Sequence, residues 1–289
     1  MIGKFILIGL IVAGLYGYNN MGNQPNDPLV SVAPREKIEQ KIDQEINPNV
    51  SKVKDIVLKF LPGKQEWPEP ARVMYYMVFM DEVIKPIQTR PDYRTLDSFG
   101  NYLPQAIIAV EDHDFYQHSA ISIDSIIRAA MINSSAGEIL QGGSTLTQQL
   151  VKNLFLSSEQ TLSRKIMEAM LALIMENKYS KDQILELYLN SIYFGMDCTG
   201  VCQTSDKLFG KFPSTLRLEE AALIAGLPNS PNTLNPFVNP KAAKERQIVV
   251  LDAMQTYGFI NQNQCWRAKS ADIYLRNGEI ISYEDKMVL

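Results

Sequence analysis

The chain has 289 residues, of which 46% are hydrophobic and 21% charged, and a formal net charge of −4 at pH 7. This composition is typical of a globular protein with a hydrophobic core, built as one large domain or two small ones. The weak negative charge provides no basic surface, so no nucleic-acid partner is expected. Two histidines in the whole chain make a histidine-based metal site improbable.

The first eighteen residues, MIGKFILIGLIVAGLYGY, carry a single charge, that of Lys4. As a helix they would extend roughly 27 Å, close to the thickness of a bilayer core. Lys4 would lie on the cytoplasmic side, in agreement with the positive-inside rule. A cleaved signal peptide is the alternative, but no clear small-x-small cleavage site precedes the polar residues that follow. We therefore predict a single transmembrane anchor over residues 1–18, with the remaining chain outside the cytoplasm.

Residues 19–90 are predicted to connect this anchor to the main domain. Asn19–Pro34 is polar and rich in Asn, Pro and Gly, as linkers are. Arg72–Ile84 is strongly apolar, and its periodicity does not distinguish a strand from a buried helix.

From Ser122 onward the pattern predicts one helix after another and no run of alternating strands. Capping residues and glycines mark their ends. The predicted helices begin at Ser122 and at Ser144, run from about Thr161 to Asn177, extend from the Ser180–Gln183 capping box to Gly195, cover Leu218–Ala225, and run from Asn239-Pro240 to Gly258. The fold class predicted is therefore mainly α.

The stretch Glu111–Ala120, EDHDFYQHSA, contains three acids and both histidines, and follows the apolar residues AIIAV. A carboxylate at the end of a buried segment is a candidate for acid–base chemistry, because partial desolvation raises its pKa towards neutrality. The alternative is a solvated turn, which is favoured when this stretch is considered alone.

Glu168 is the only charged residue of the apolar helical run IMEAMLALIM. A carboxylate inside such a helix is costly unless it is paired or functional. Arg164 and Lys165 lie one turn earlier and are within helical reach of it. A core salt bridge is the default interpretation, and a charged carboxylate lining a cleft is the functional one.

The stretch GGSTLTQQLVKN places hydroxyls, amides and Lys152 at and after a helix start. Free amides at a helix N-terminus can bind phosphate, although the P-loop spacing is absent and a capped surface helix is the favoured alternative. Together with two separated carboxylates, Glu111 and Glu168, this helix start forms a constellation suited to glycosyl chemistry.

Five motifs in order resemble the peptidoglycan glycosyltransferase (transglycosylase) domain of glycosyltransferase family 51, which occurs in class A penicillin-binding proteins and as monofunctional enzymes. The resemblance covers roughly Tyr93–Asn261. The matching residues are Glu111-Asp112-x-x-Phe115-x-x-His118, Gly143-Ser144-Thr145-Leu146-Thr147-Gln148-Gln149-x-x-Lys152-Asn153, Arg164-Lys165-x-x-Glu168-x-x-x-Ala172-x-x-x-Glu176, Lys181-x-x-Ile184-Leu185-x-x-Tyr188-x-Asn190-x-x-x-x-Gly195, and Arg246 before IVVL.

The resemblance implies a lysozyme-like helical lobe with a small membrane-proximal jaw subdomain, which would include Ile121–Leu140. It places the glycosyltransferase domain at residues 91–262 and leaves residues 263–289 as a C-terminal tail. It also implies a single-pass protein of the plasma (inner) membrane with its catalytic domain on the extracytoplasmic, periplasmic side.

The activity implied is polymerisation of lipid II into β-1,4 glycan strands by an inverting single displacement that releases undecaprenyl pyrophosphate. Glu111 would be the general base, and Glu168 the second catalytic carboxylate on the donor side. The implied partners are lipid II, the growing glycan, the membrane and other cell-wall synthesis proteins, and a divalent cation (Mg²⁺ or Mn²⁺) assists at the pyrophosphate in some members. The substrate-binding residues implied are Asp112, Phe115, Ser144, Thr145, Gln148, Gln149, Lys152, Asn153, Arg164, Lys165, Glu176, Asn190 and Arg246.

Three positions depart from the family pattern. Ala120 replaces a usual glycine, which would cost about 1 kcal/mol if the backbone there had a positive φ. Glu245-Arg246-Gln247 replaces a pattern of two arginines and an asparagine, and Cys198 and Cys202 occur where small residues are common. The two cysteines either pair in an oxidising compartment or stay free. No S-x-x-K motif with its partners appears, so no transpeptidase domain is expected within this sequence.

Two alternative functions stay open at this point. A lysozyme-like hydrolase would share the fold and the carboxylates, but it needs no cations such as Lys152, Arg164 and Lys165 for a pyrophosphate. A non-catalytic scaffold for cell-wall synthesis would be consistent with Ala120 and the altered fifth motif.

Overall fold

The computed structural model describes residues 69–122, 143–157 and 161–282. The predicted anchor, most of the predicted linker, and the helix predicted to begin at Ser122 lie outside the described residues. Within the described ranges, no helix has both the length and the apolarity required to span a bilayer.

The chain forms two units, Met1–Met80 and Asp81–Leu289. The described helix of the first unit is α1 (Glu69–Phe79), in which the rings of Tyr75 and Phe79 pack 4.7 Å apart. The apolar stretch Arg72–Ile84, whose periodicity did not distinguish a strand from a helix, is therefore helical as far as Phe79. From Asp81 onward its residues are again helical, in the second unit.

The second unit is mainly helical, which confirms the predicted fold class. Its helices are α2 (Asp81–Gln88), α3 (Tyr102–Glu111), α4 (Leu146–Phe155), α5 (Leu162–Lys178), α6 (Lys181–Ser191), α7 (Val201–Phe209), α8 (Leu218–Gly226), α9 (Pro240–Thr256) and α10 (Gln262–Ser270). Short 3₁₀ turns cover Leu96–Phe99, Pro213–Thr215 and Leu227–Asn229. The strands β1 (Ile273–Tyr274) and β2 (Ile280–Ile281) pair antiparallel, with Ile273 opposite Ile281.

Two groups of helices position the site. In the first, α3 packs against α8 and α9; in the second, α4 packs against α5 and α6. Helix α3 buries Leu103, Ile107 and their neighbours, and it ends at Glu111 because Asp112 leaves helical geometry at φ −164°, ψ 72°. The candidate base therefore stands at the last residue of a core helix.

Capping residues fix the starts of the other helices. The predicted Ser180–Gln183 box is confirmed: Ser180 Oγ accepts from the Gln183 amide at 3.2 Å, and Gln183 Oε1 accepts from the Ser180 amide at 2.9 Å. The prediction that Ser144 caps α4 was wrong by one residue. Thr145 is the cap, because Gln148 lies three positions later and completes a capping box with it.

One predicted helix end was also wrong. Helix α6 stops at Ser191 rather than Gly195, since Ile192 is extended (φ −75°, ψ 146°) and Tyr193 then pairs with Thr199 in an isolated bridge.

Candidate active site

Glu111 is a carboxylate with one hydrogen-bonded oxygen, Oε2, and one oxygen without a hydrogen-bond partner, Oε1, called its free oxygen below. Its side chain is 12% exposed, and Oε2 accepts a hydrogen bond from Gln149 Nε2 at 2.8 Å. Oε1 is buried without a hydrogen-bond partner and lies 3.9 Å from the Arg246 guanidinium. Burial raises the pKa of Glu111, and the Gln149 bond and the charges of Arg246 and Lys152 oppose this only in part. A free oxygen on a carboxylate of raised pKa is suited to accept a proton.

Gln149 connects Glu111 to the second helix group. It lies on α4, and its Oε1 accepts a hydrogen bond from the Tyr188 hydroxyl of α6 at 3.1 Å. Tyr188 is fully buried. Sequence reasoning matched Tyr188 to a motif but assigned it no role, since nothing in its local pattern indicates a contact 39 positions away.

Asp112 holds the loop after α3 and the start of α4 together. Its Oδ2 accepts from the Leu146 amide at 2.8 Å, and its Oδ1 lies 2.5 Å from His118 Nε2. The other ring nitrogen of His118 faces the Ser119 carbonyl at 2.6 Å, so both ring nitrogens face acceptors, an arrangement that favours the charged imidazolium. Burial disfavours this charge, but the bonds to Asp112 and Ser119 outweigh it and raise the pKa of His118.

At the start of α4, where the sequence predicted a phosphate site, two backbone amides already have partners within the protein. The Leu146 amide is occupied by Asp112 and the Gln148 amide by Thr145 Oγ1. A carboxylate already complements the N-terminal dipole of α4, and two of its first-turn amides are used inside the protein. The predicted phosphate site is therefore not formed by these amides.

Glu168 is clamped by the two cations one turn earlier on α5. Its side chain is 2% exposed; Oε2 accepts from Arg164 Nη1 at 3.3 Å, and Oε1 pairs with Lys165 Nζ. The Lys165 ammonium also donates to Ser144 Oγ at 2.7 Å and keeps 45% of its side chain exposed. The carboxylate thus forms a core ion pair with Arg164 and at the same time holds Lys165 beside Ser144 at the surface.

Several residues predicted to bind substrate make contacts within the protein. Thr145 Oγ1 donates to the Ala120 carbonyl at 2.7 Å, and Glu176 Oε1 accepts from Thr147 at 2.6 Å and from Lys181 at 2.8 Å. These contacts show that the residues help to hold the helices together, and their predicted role in binding substrate stays a prediction. The members of this group are Phe115, Thr145, Gln148, Glu176 and Asn190.

Asn190 shows such contacts most clearly. Its Oδ1 accepts from the Arg94 amide at 2.9 Å, and its Nδ2 donates to the carbonyls of Arg94 and Glu186, both at 2.8 Å. All its side-chain polar groups are engaged, so it fixes the segment before α3. Asn153 is exposed, with its amide bonded to the Gln149 carbonyl at 2.8 Å.

The backbone at Ala120 does not require glycine. In the described ranges, the residues other than glycine with positive φ are Met196 and Asp197. Ala120 is fully buried and its carbonyl holds Thr145. The strain considered for this departure from the family pattern is therefore absent.

Gly226 is a second residue that sequence reasoning missed. A Cβ built on it would lie 2.9 Å from Arg246 Cγ, closer than side chains approach. The glycine therefore makes room for the stem of the arginine that faces Glu111.

The residues described offer no ready metal site. They bring no three His, Cys, Asp or Glu side chains together, and both oxygens of Glu168 are engaged by cations. The divalent cation predicted at the pyrophosphate stays a prediction. Cys198, Cys202 and Cys265 are free thiols, which resolves the alternative of a Cys198–Cys202 pair.

A family model described as transglycosylase matches residues 80–255, more than half of the chain. Penicillin-binding protein 1A of Aquifex aeolicus (strain VF5) is 42% identical over 193 residues, 67% of this chain and 27% of the relative. Penicillin-binding protein 1A of Escherichia coli (strain K12) is 46% identical, over 59% of this chain and 20% of the relative. Penicillin-binding protein 1A/1B of Bacillus subtilis (strain 168) is 41% identical, over 63% and 20%.

These alignments span about a fifth to a quarter of the length of the curated relatives. Among solved structures, penicillin-binding protein 1A from Haemophilus influenzae is similar at a TM-score of 0.32 and 30% identity, over 45% of this chain and 16% of that one. The match of the family model, which includes both candidate carboxylates, is the decisive comparison. The chain belongs to the transglycosylase family.

Proposed function

We propose that the chain is a peptidoglycan glycosyltransferase that polymerises lipid II into β-1,4 glycan strands and releases undecaprenyl pyrophosphate. The observation that carries this proposal is the state of Glu111 within a transglycosylase-family fold: a raised pKa, one oxygen held by Gln149 and the other free. The relatives named penicillin-binding proteins support the assignment to cell-wall synthesis.

Glu111 acts as the general base in a single displacement. Its free Oε1 takes the proton of the acceptor sugar's 4-hydroxyl while that oxygen attacks the anomeric carbon of the donor. The new O4–C1 bond forms as the bond between C1 and the pyrophosphate oxygen breaks, and the leaving pyrophosphate keeps the electron pair. Attack from the face opposite the leaving group inverts the anomeric configuration.

The leaving pyrophosphate requires positive charge on the donor side. Lys165, held by Glu168 and Ser144, and the exposed Lys152 supply ammonium groups, and Arg164 supports them from a buried position. Glu168 holds Lys165 in place by their ion pair, so its catalytic contribution is to position charge rather than to transfer a proton. A divalent cation carried by the pyrophosphate would add positive charge there.

We further propose that the chain works at the plasma membrane, anchored by residues 1–18 with the catalytic unit outside the cytoplasm. This placement rests on the apolar N-terminal sequence and on the lipid-linked substrate. Other cell-wall synthesis proteins are the expected partners there.

The first prediction is that the full chain, purified in detergent, converts labelled lipid II into glycan strands without any other enzyme. No other enzyme should be needed because the proposed base, Glu111, and the proposed donor-side cations, Lys152 and Lys165, belong to the same unit. Separation of the products by gel electrophoresis measures strand length and rate, with and without Mg²⁺ or Mn²⁺.

A parallel assay with finished peptidoglycan as the substrate distinguishes the glycosyltransferase from a hydrolase and from a non-catalytic scaffold. Release of soluble fragments from finished peptidoglycan, with lipid II left unchanged, would establish a hydrolase instead. Inactivity towards both substrates in every detergent and with either ion would establish a non-catalytic scaffold.

A further inference from the structure

We propose that Tyr188 is a positioning residue for Glu111: its hydroxyl fixes the direction of the Gln149 amide, which keeps Oε2 of Glu111 hydrogen-bonded while Oε1 stays free. This inference rests on the proposed function, in which that free oxygen is the base.

The first step is the contact between the tyrosine and the glutamine. Tyr188 is fully buried on α6, and its hydroxyl lies 3.1 Å from Gln149 Oε1. Burial first, and the charge of Glu111 second, raise the pKa of Tyr188 well above its usual range. The hydroxyl therefore stays protonated at every working pH and can donate.

The second step follows from the asymmetry of the amide. Its oxygen only accepts hydrogen bonds and its nitrogen only donates them. While Tyr188 donates to Oε1, the NH₂ group points to Glu111 Oε2, 2.8 Å away. A flipped amide would set its oxygen against the carboxylate, placing two acceptors in contact. Removal of the hydroxyl takes away the hydrogen-bond donor to Oε1 of Gln149, and the amide is no longer held in one direction.

The third step is that the other groups facing Glu111 do not depend on this contact. Arg246 of α9 and Lys152 of α4 lower the pKa of Glu111 by their charges, and the neighbouring Asp112 raises it. The Gln149 bond lowers the pKa more than either cation does. A conservative change at position 188 therefore alters the amide and leaves the charges in place.

The experiment is a carbon-13 NMR titration of the full chain in detergent, labelled at glutamate carboxyls, with Glu111→Gln identifying the signal of Glu111. We expect Tyr188→Phe to raise the pKa of Glu111 and Gln149→Met to raise it at least as far. The combined variant should match Gln149→Met alone, because both changes act through one bond. The rate of strand formation, as kcat/KM, should fall by about 10-fold to 100-fold in Tyr188→Phe.

The matched control is Tyr179→Phe, which also removes a tyrosine–acceptor bond, from Tyr179 to Asp81 Oδ1 at 2.6 Å. It should leave the pKa of Glu111 unchanged. An unchanged Glu111 pKa in Tyr188→Phe would overturn the proposal, as would a shift that adds to that of Gln149→Met. If Tyr188→Phe does not fold, an unchanged Glu111 pKa in Gln149→Met overturns it equally. A wild-type chain that forms no strands contradicts the proposed function, while the titration still decides the role of Tyr188.

Discussion

Glu111→Gln is expected to lower the rate of strand formation by roughly 10²-fold to 10⁴-fold, the contribution of a general base. Glutamine has nearly the same shape and can still accept the hydrogen bond from Gln149, but it cannot take the proton of the acceptor hydroxyl. The variant should also be at least as stable as wild type at neutral pH. Burial raises the pKa of Glu111, which means that its ionised form is held in the folded state at a cost.

Two measurements separate loss of chemistry from loss of structure. The melting temperature of Glu111→Gln should equal or exceed that of wild type. Its affinity for a phosphoglycolipid that mimics the lipid-linked donor, such as moenomycin, should be unchanged. Glu245→Gln, an acid-to-amide change at an exposed position next to Arg246, is the control and should keep full activity. Near-normal turnover in Glu111→Gln would remove Glu111 from the role of base.

Glu168→Ala is expected to destabilise the chain by about 3 kcal/mol, because it leaves the buried Arg164 without its partner. For a folded unit of this size, that corresponds to a fall in melting temperature of about 6–12 °C. Thermal unfolding measures it. Asp252→Ala breaks an ion pair with Lys269 at the surface and is the control, with an expected loss below about 1 kcal/mol.

A double variant distinguishes the folding role of Glu168 from its role in catalysis. Arg164→Met combined with Glu168→Leu removes both buried charges and should recover most of the lost stability. Lys165 then has no carboxylate to hold it beside Ser144, so the double variant should form strands more slowly than wild type. Recovery of full activity together with stability would show that Glu168 acts only in folding.

The helices could be predicted from the sequence because their signals are local. The spacing of apolar residues and the Ser180–Gln183 box lie within one or two turns. The Thr145–Gln148 box was also visible, and it would have placed the start of α4 correctly. The end of α6 was missed because Ile192 leaves the helix to allow a pairing between Tyr193 and Thr199, which depends on tertiary contacts.

The candidate site could be predicted in part. The sequence singled out Glu111 and Glu168, and paired the latter with Arg164 and Lys165 by helical spacing. It did not reveal which of the predicted residues also bond within the protein. Asn190 bonds to Arg94, 96 positions away, and such a contact leaves no trace in the local pattern.

As a general base, the desolvated Glu111 must be ionised for turnover, and the pH dependence of kcat/KM for strand formation tests this most directly. Activity should be lost as pH falls through the pKa of Glu111 in the free enzyme. We predict that this acidic limb lies above pH 4.5, the ordinary pKa of a glutamate, and that it moves to still higher pH in Gln149→Met. A limb at or below pH 4.5, or one that Gln149→Met leaves in place, would contradict this prediction.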